Sequence, residues 1–152
     1  ASVTASGRVA TDTMITRGAA VTALTELLTM SGHHVKVTLV DCRSAHDGGK
    51  IEYRVTLKDY MESFDVARFI YAAAHPSTLR RHCFSVNEQE PAGIRSRFGF
   101  NGGGYGMPTD SEERGDIYLG AMTWGQGNWT NPQWVMKWIL DNLRAQGVRV
   151  EV

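Results

Sequence analysis

Cys42 and His46 lie four residues apart, a spacing at which an imidazole can draw the proton from a thiol and leave a nucleophilic thiolate. With Ser6 and Asp41 added, the set would suit a hydrolase or a transferase. Neither an orienting acid nor an oxyanion-hole donor accompanies the pair, so a buried, inert Cys42 is the expectation. His75, His82 and Cys83 are metal-ligating types, but their spacing follows no zinc pattern and a fourth ligand is missing. No catalytic set, metal ion or cofactor is expected. His33-His34 falls at a turn between elements and is expected at the surface.

Binding chemistry is better represented. The stretch from Arg95 to Gly106 interleaves cations, aromatics and glycine. In such a loop Arg95 and Arg97 can follow a phosphate backbone while Phe98, Phe100 or Tyr105 stacks on bases. Arg80 and Arg81 would extend the basic face. The stretch lacks the Gly-Lys-Ser/Thr ending of a phosphate-binding loop and opens no helix. The competing expectation is a connecting loop whose aromatics pin it to the core. Four tryptophans crowd into residues 124–138. Trp134 and Trp138, one helical turn apart, belong to a core stripe. Trp124 and Trp129, in the loop from Thr123 to Asn131, are candidate anchors for a protein partner. The sequon Asn128-Trp129-Thr130 would matter only on a secretory route. The expected partner is another protein; single-stranded nucleic acid is the alternative.

The elements that must position these residues follow from periodicity. Ser2–Ala5 reads as a brief strand. Met14, Gly18, Val21, Leu24 and Leu28 recur at three- and four-residue steps, which predicts an amphipathic helix starting near Asp12. Asp12 or Thr13 would cap it and Gly32 would end it. Val35–Val40 predicts a central strand. Asp47-Gly48-Gly49 predicts a turn, and Ile51–Leu57 an antiparallel edge strand with one wet face. Phe64–Ala74 predicts a buried helix stopped by His75-Pro76, and Ser77–Glu88 a further helix. Residues 91–114 read as one long loop, and Asp116–Met122 as a buried strand. Asn131 and Pro132 open a helix whose stripe is Trp134, Val135, Trp138, Ile139 and Leu143, closed by Gly147. Val148–Val152 alternates as a last strand. The order predicts one α/β domain over residues 1–152. Its expected form is a three-layer sandwich, with a mostly parallel central sheet, one antiparallel edge strand and helices on both faces. In such a sheet the ligand crevice lies at the strand carboxyl ends. There it would gather Ser6-Gly7-Arg8, Asp41-Cys42-Arg43 and Gly120–Thr123, suited to an anionic group.

Composition narrows the classes further. Sixteen Lys and Arg balance sixteen Asp and Glu, so no overall field pulls the chain onto nucleic acid, though a local basic face remains open. Hydrophobic residues make up 42% and charged residues 21% of the chain, as in an ordinary globular domain. Two cysteines build no disulfide framework. No run approaches the roughly eighteen apolar residues of a membrane span, so no membrane partner is expected. The chain opens at Ala1 without methionine or a signal-peptide pattern, and its strand-like last residues point to a longer parent.

This layout resembles the von Willebrand factor A-like domain. The matching pieces are Ser2–Ser6, the helix carrying Arg17-Gly18-Ala19-Ala20, Val35–Asp41 with Ile51–Leu57, Asp116–Gly120, the Trp134 helix and Val148–Val152. Arg17–Ala20, the leucine-rich helix and Gly32-His33-His34-Val35 are also similar to an uncharacterised group of tailed-phage proteins. That likeness implies a bacterial cytoplasm or a virion as the setting. Metal-binding A-like members carry Asp-x-Ser-x-Ser after the first strand; here the stretch is Thr4-Ala5-Ser6-Gly7-Arg8, and Leu119-Gly120-Ala121 stands where Thr-Asp-Gly is often found. The resemblance therefore implies a degenerate metal site. Its expected function is a non-enzymatic protein-binding or assembly module working through Ser6, Arg8, Asp41, Thr123, Trp124 and Trp129.

Overall fold

The computed structural model describes residues 1–102, 104–123 and 128–149. Met14, Gly18, Val21, Leu24 and Leu28 all turn inward along helix α1 (Thr11–Met30). Its first turn carries Asp12, placed well for the helix dipole. The N-cap is Ala10 and makes no side-chain cap, so neither Asp12 nor Thr13 caps the helix as expected. At the far end Gly32 takes φ +85°, and the N–H of His33 donates back to the Leu28 carbonyl at 3.0 Å, the left-handed ending that glycine permits. Thr22 and Thr25, buried on the same face, satisfy their hydroxyls on the carbonyls of Gly18 and Val21, both at 2.8 Å.

Helix α2 (Val66–Ala74) is capped by Asp65, whose side chain accepts from the Arg68 N–H. It crosses α1 at Gly18, where an added Cβ would stand 2.3 Å from the Ala74 Cα. Only a residue without a side chain allows the two backbones to touch there. Only Phe69 and Ala74 of α2 are buried, so the helix read as buried keeps a broad outer face. A π-helical turn (Thr78–Cys83), a short α3 (Phe84–Asn87) and α4 (Ala92–Phe98) follow. The long loop expected from residue 91 thus opens with a helix, ended by Gly99 at φ +71°. Helix α5 (Pro132–Ala145) begins as expected, with the Asn131 side chain accepting from the N–H groups of Gln133 and Trp134.

Strands β1 (Val37–Ser44) and β2 (Lys50–Lys58) form an antiparallel hairpin through Asp47-Gly48-Gly49. A two-residue β3 (Met107–Pro108) pairs antiparallel with Arg43 and Ser44 on the other side, giving the order β2-β1-β3. This overturns the expected three-layer sandwich with a mostly parallel sheet: the regular sheet is small and antiparallel. Among the described residues parallel pairing is confined to two isolated bridges, Ser2 with Val40 and Ala5 with Met122.

The physical reason lies in side chains that occupy the backbone groups a ladder would use. Thr4 Oγ1 accepts from the Cys42 N–H at 2.8 Å, Ser2 Oγ from the Thr4 N–H at 3.2 Å, and Asp110 Oδ1 from the Ala121 N–H at 2.7 Å. The Arg17 guanidinium binds the carbonyls of Ser2 and Gly120. Leu119, Ala121 and Met122 are buried as expected, but not as a regular strand. Of the last expected strand, Val148 bonds to the Leu143 carbonyl, and residues 150–152 lie outside the described residues.

The main core gathers Val21, Leu24, Leu39, Phe69, Leu119, Trp129 and Ile139. A second cluster holds Ala5, Val9, Met14, Leu79 and Met122, and a third Ala45, Phe98 and Phe100. No helix among the described residues is long and apolar enough to cross a membrane.

Candidate partner-binding face

Asp41 projects from β1 on the same side as Arg43, two residues along. Its carboxylate takes Arg43 Nε at 3.1 Å and Nη2 at 3.0 Å, and accepts from Thr4 Oγ1 at 3.0 Å. Arg43 also donates to the Tyr105 carbonyl at 2.7 Å and lies over the Phe84 ring. Asn87, fully buried, completes the set once its carboxamide is turned over, its oxygen then accepting from Arg43 Nε at 3.2 Å and its nitrogen donating to the Cys83 carbonyl at 3.3 Å. Asp41 and Arg43 are 3% and 2% exposed. Their charges are spent on each other, and the pair tethers β1 to the amino-terminal segment and to the loop at Tyr105. Asp41 is therefore a structural partner rather than a crevice ligand.

Of the two thiols, Cys42 is buried and Cys83 half-buried. Burial, with Glu52 beside it, pushes Cys42 up to about 11, and burial pushes Cys83 up to about 12. At neutral pH each stays protonated, which removes the thiolate that nucleophilic chemistry needs. His46 is exposed while Cys42 is buried. His82 shares a hydrogen bond with the Tyr71 hydroxyl at 2.8 Å, and His75 stacks on the same ring. No cluster of metal-ligating side chains occurs among the described residues. His33 bonds the Gln146 carbonyl at 3.1 Å; its neighbour His34 is exposed.

The Ser6 N–H donates to the carbonyl of Met122, the residue before Thr123, at 2.8 Å. Ser6 is half-buried, while Arg8 is exposed. Trp129 is not a surface anchor. It is 8% exposed, packs edge-on against Trp134 and Trp138, and lies against the buried Arg17 guanidinium. A large aromatic next to a helical stripe gains more from joining the core than from reaching into water. Trp124 lies outside the described residues.

The glycine-loop set is dispersed as well. Phe98 and Phe100 are buried and stacked on each other. Tyr105 stacks on Phe84 with centroids 4.0 Å apart and its hydroxyl donates to Glu88. Arg97 is held by Asp47 at 2.8 Å, and Arg95 is half-buried. The three aromatics expected to stack on bases are the ones that pin the loop to the core.

What remains free lies on α2 and the π-helical turn. From Val66 to Asn87 the chain contains no carboxylate. Arg68, Arg80, Arg81, His75 and His82 are all exposed there, and none of the three arginines has an ion pair among the described residues. Between them α2 exposes Val66, Ile70 at 49% and Tyr71 at 48%. Val9, beside Arg8, and Leu79, beside Arg80, belong to one buried cluster. Arg8 also has no ion pair among the described residues. The carboxylate-free run from Val66 was the signal available in the sequence, masked there by a chain-wide charge of zero.

A family model described as a domain of unknown function, DUF7192, matches residues 1–150. The chain belongs to that family. No curated protein and no solved structure matches it. In this DUF7192 domain the exposed Arg68, Ile70 and Tyr71 lie on a helix anchored by Phe69 in the core, and the exposed Arg80 and Arg81 lie on the π-helical turn that follows.

Proposed function

We propose that this DUF7192 domain is a non-enzymatic binding module that holds another protein through the outer face of α2 and the π-helical turn. The observation that carries the reading is the pairing of exposed Ile70 and Tyr71 with Arg68, Arg80 and Arg81, on a stretch without a carboxylate. Apolar and aromatic side chains ringed by arginine are the composition of an interface centre, and the uniform charge selects an acidic partner. The likeness of Arg17–Ala20 and Gly32–Val35 to tailed-phage proteins supports a phage particle or its host cytoplasm as the setting. A second reading, single-stranded nucleic acid, is favoured only by the free arginines, and moves from the glycine loop to this face.

Fluorescence anisotropy separates the two. The probes are a labelled acidic amphipathic peptide, with Asp and Glu alternating with Leu, and a labelled single-stranded oligonucleotide, each at low and moderate salt. The peptide binds, and Arg80→Glu with Arg81→Glu abolishes binding. Ile70→Ala weakens peptide binding by roughly tenfold through lost apolar contact and leaves the oligonucleotide untouched. Oligonucleotide binding alone, indifferent to Ile70→Ala, would move the domain to the second reading. No binding of either probe at low salt sinks both.

A further inference from the structure

We propose that β2 is a pairing edge for a second copy of this chain, which joins it antiparallel about a two-fold axis at Tyr53. β2 stands at the outside of the sheet, next to β1 alone. Among the described residues no backbone hydrogen bond runs from β2 to any segment other than β1. An antiparallel strand directs alternate N–H and C=O groups away from its partner, so the outer edge presents a row of groups a second strand can satisfy. The one register irregularity of the hairpin falls between Val37 and Thr38. From Thr38 opposite Thr56 to Ser44 opposite Lys50 the pairing is unbroken, which leaves Lys50–Thr56 regular along its whole length.

Tyr53 is the midpoint of that segment, and the sequence around it is complementary to itself. A two-fold there sets Glu52 opposite Arg54 of the other copy twice over, Ile51 opposite Val55 twice, and Tyr53 opposite itself. Cross-strand pairs of opposite charge and of aliphatic residues are those that stabilise a sheet. Val55, 60% exposed, is the side chain that gains cover. Edges that proteins protect from pairing carry charges that repel a second strand; here Arg54 holds Glu52 and Glu113 of its own chain, and in this register the second copy sets a further opposite charge against each of Glu52 and Arg54. The occupant is therefore a second copy rather than an unrelated strand. An isologous pair of this kind closes on itself and does not propagate.

Sedimentation equilibrium of the full chain over a wide concentration range tests it. A reversible species at twice 16.8 kDa is expected. Glu52→Arg places Arg opposite Arg, and Arg54→Glu places Glu opposite Glu, so each alone weakens self-association by about tenfold or more. Mixed in equal amounts they restore it, because every 52–54 contact is then of opposite sign. Glu52 and Arg54 also pair within the chain, so if either charge variant loosens the fold by circular dichroism, Val55→Lys decides the matter: it leaves Glu52 and the Arg54 contacts with Ser111 and Glu113 in place and still weakens self-association by setting Lys opposite Ile51 of the other copy. A monomer at all concentrations overturns the proposal. So does a dimer indifferent to these substitutions, or a mixture of the two folded charge variants that stays monomeric.

Discussion

Asp41 and Arg43 answer to the same condition: a buried charge is tolerable only while its partner is present. Asp41→Ala leaves the Arg43 guanidinium unpaired and nearly sealed from water, and should cost about 3–5 kcal/mol in urea unfolding. The thiols provide a second check at this scale. Cys42 and Cys83 should resist alkylation in the native protein and react quickly once it is unfolded. The folded Cys83 value near 12 lies above the free value of 9.0, so between them the native state holds a proton the unfolded chain has lost. Stability from this group is complete below pH 9.0 and is lost as pH rises toward 12. Denaturation midpoints that stay level across that range would contradict the burial of Cys83.

Elements depend on a few contacts between backbones and caps. Gly18→Ala drives a methyl group into the backbone of Ala74, and separating α1 from α2 should cost about 1–3 kcal/mol in thermal unfolding. Asn131→Ala removes the acceptor for two N–H groups at the start of α5 and should cost about 1 kcal/mol. Trp129→Ala opens the space between α5 and the Arg17 side chain. A loss of about 3–5 kcal/mol is expected, where an exposed anchor would have left the midpoint unchanged. Measuring that one variant decides whether Trp129 belongs to core or surface.

Across the whole molecule, charge is distributed rather than balanced locally. The carboxylates cluster toward residues 47–65 and 88–116, leaving the stretch between them basic. Affinity for an acidic partner at α2 should therefore fall steeply with salt despite a net charge of zero. Arg68→Glu should weaken it, whereas Lys137→Glu on α5 should not. Those two variants, compared at two salt concentrations, separate a localised face from a diffuse field.

Helix periods, the β1–β2 hairpin, the α5 cap and the α1 stripe were legible in the sequence because each depends on neighbours within a few residues. The failure of the mostly parallel sheet was not legible. It depends on Thr4 reaching Cys42 and Asp110 reaching Ala121 across 38 and 11 positions, and no local pattern shows which backbone groups such side chains will occupy. The candidate site was lost for the same reason. Trp129, Phe98 and Phe100 look like exposed recognition residues in a glycine-rich sequence until packing gives them a core to enter. That the arginines of α2 and the π-helical turn stay exposed and outside every ion pair among the described residues, while Arg43, Arg54 and Arg97 are paired, was decided only by the tertiary structure.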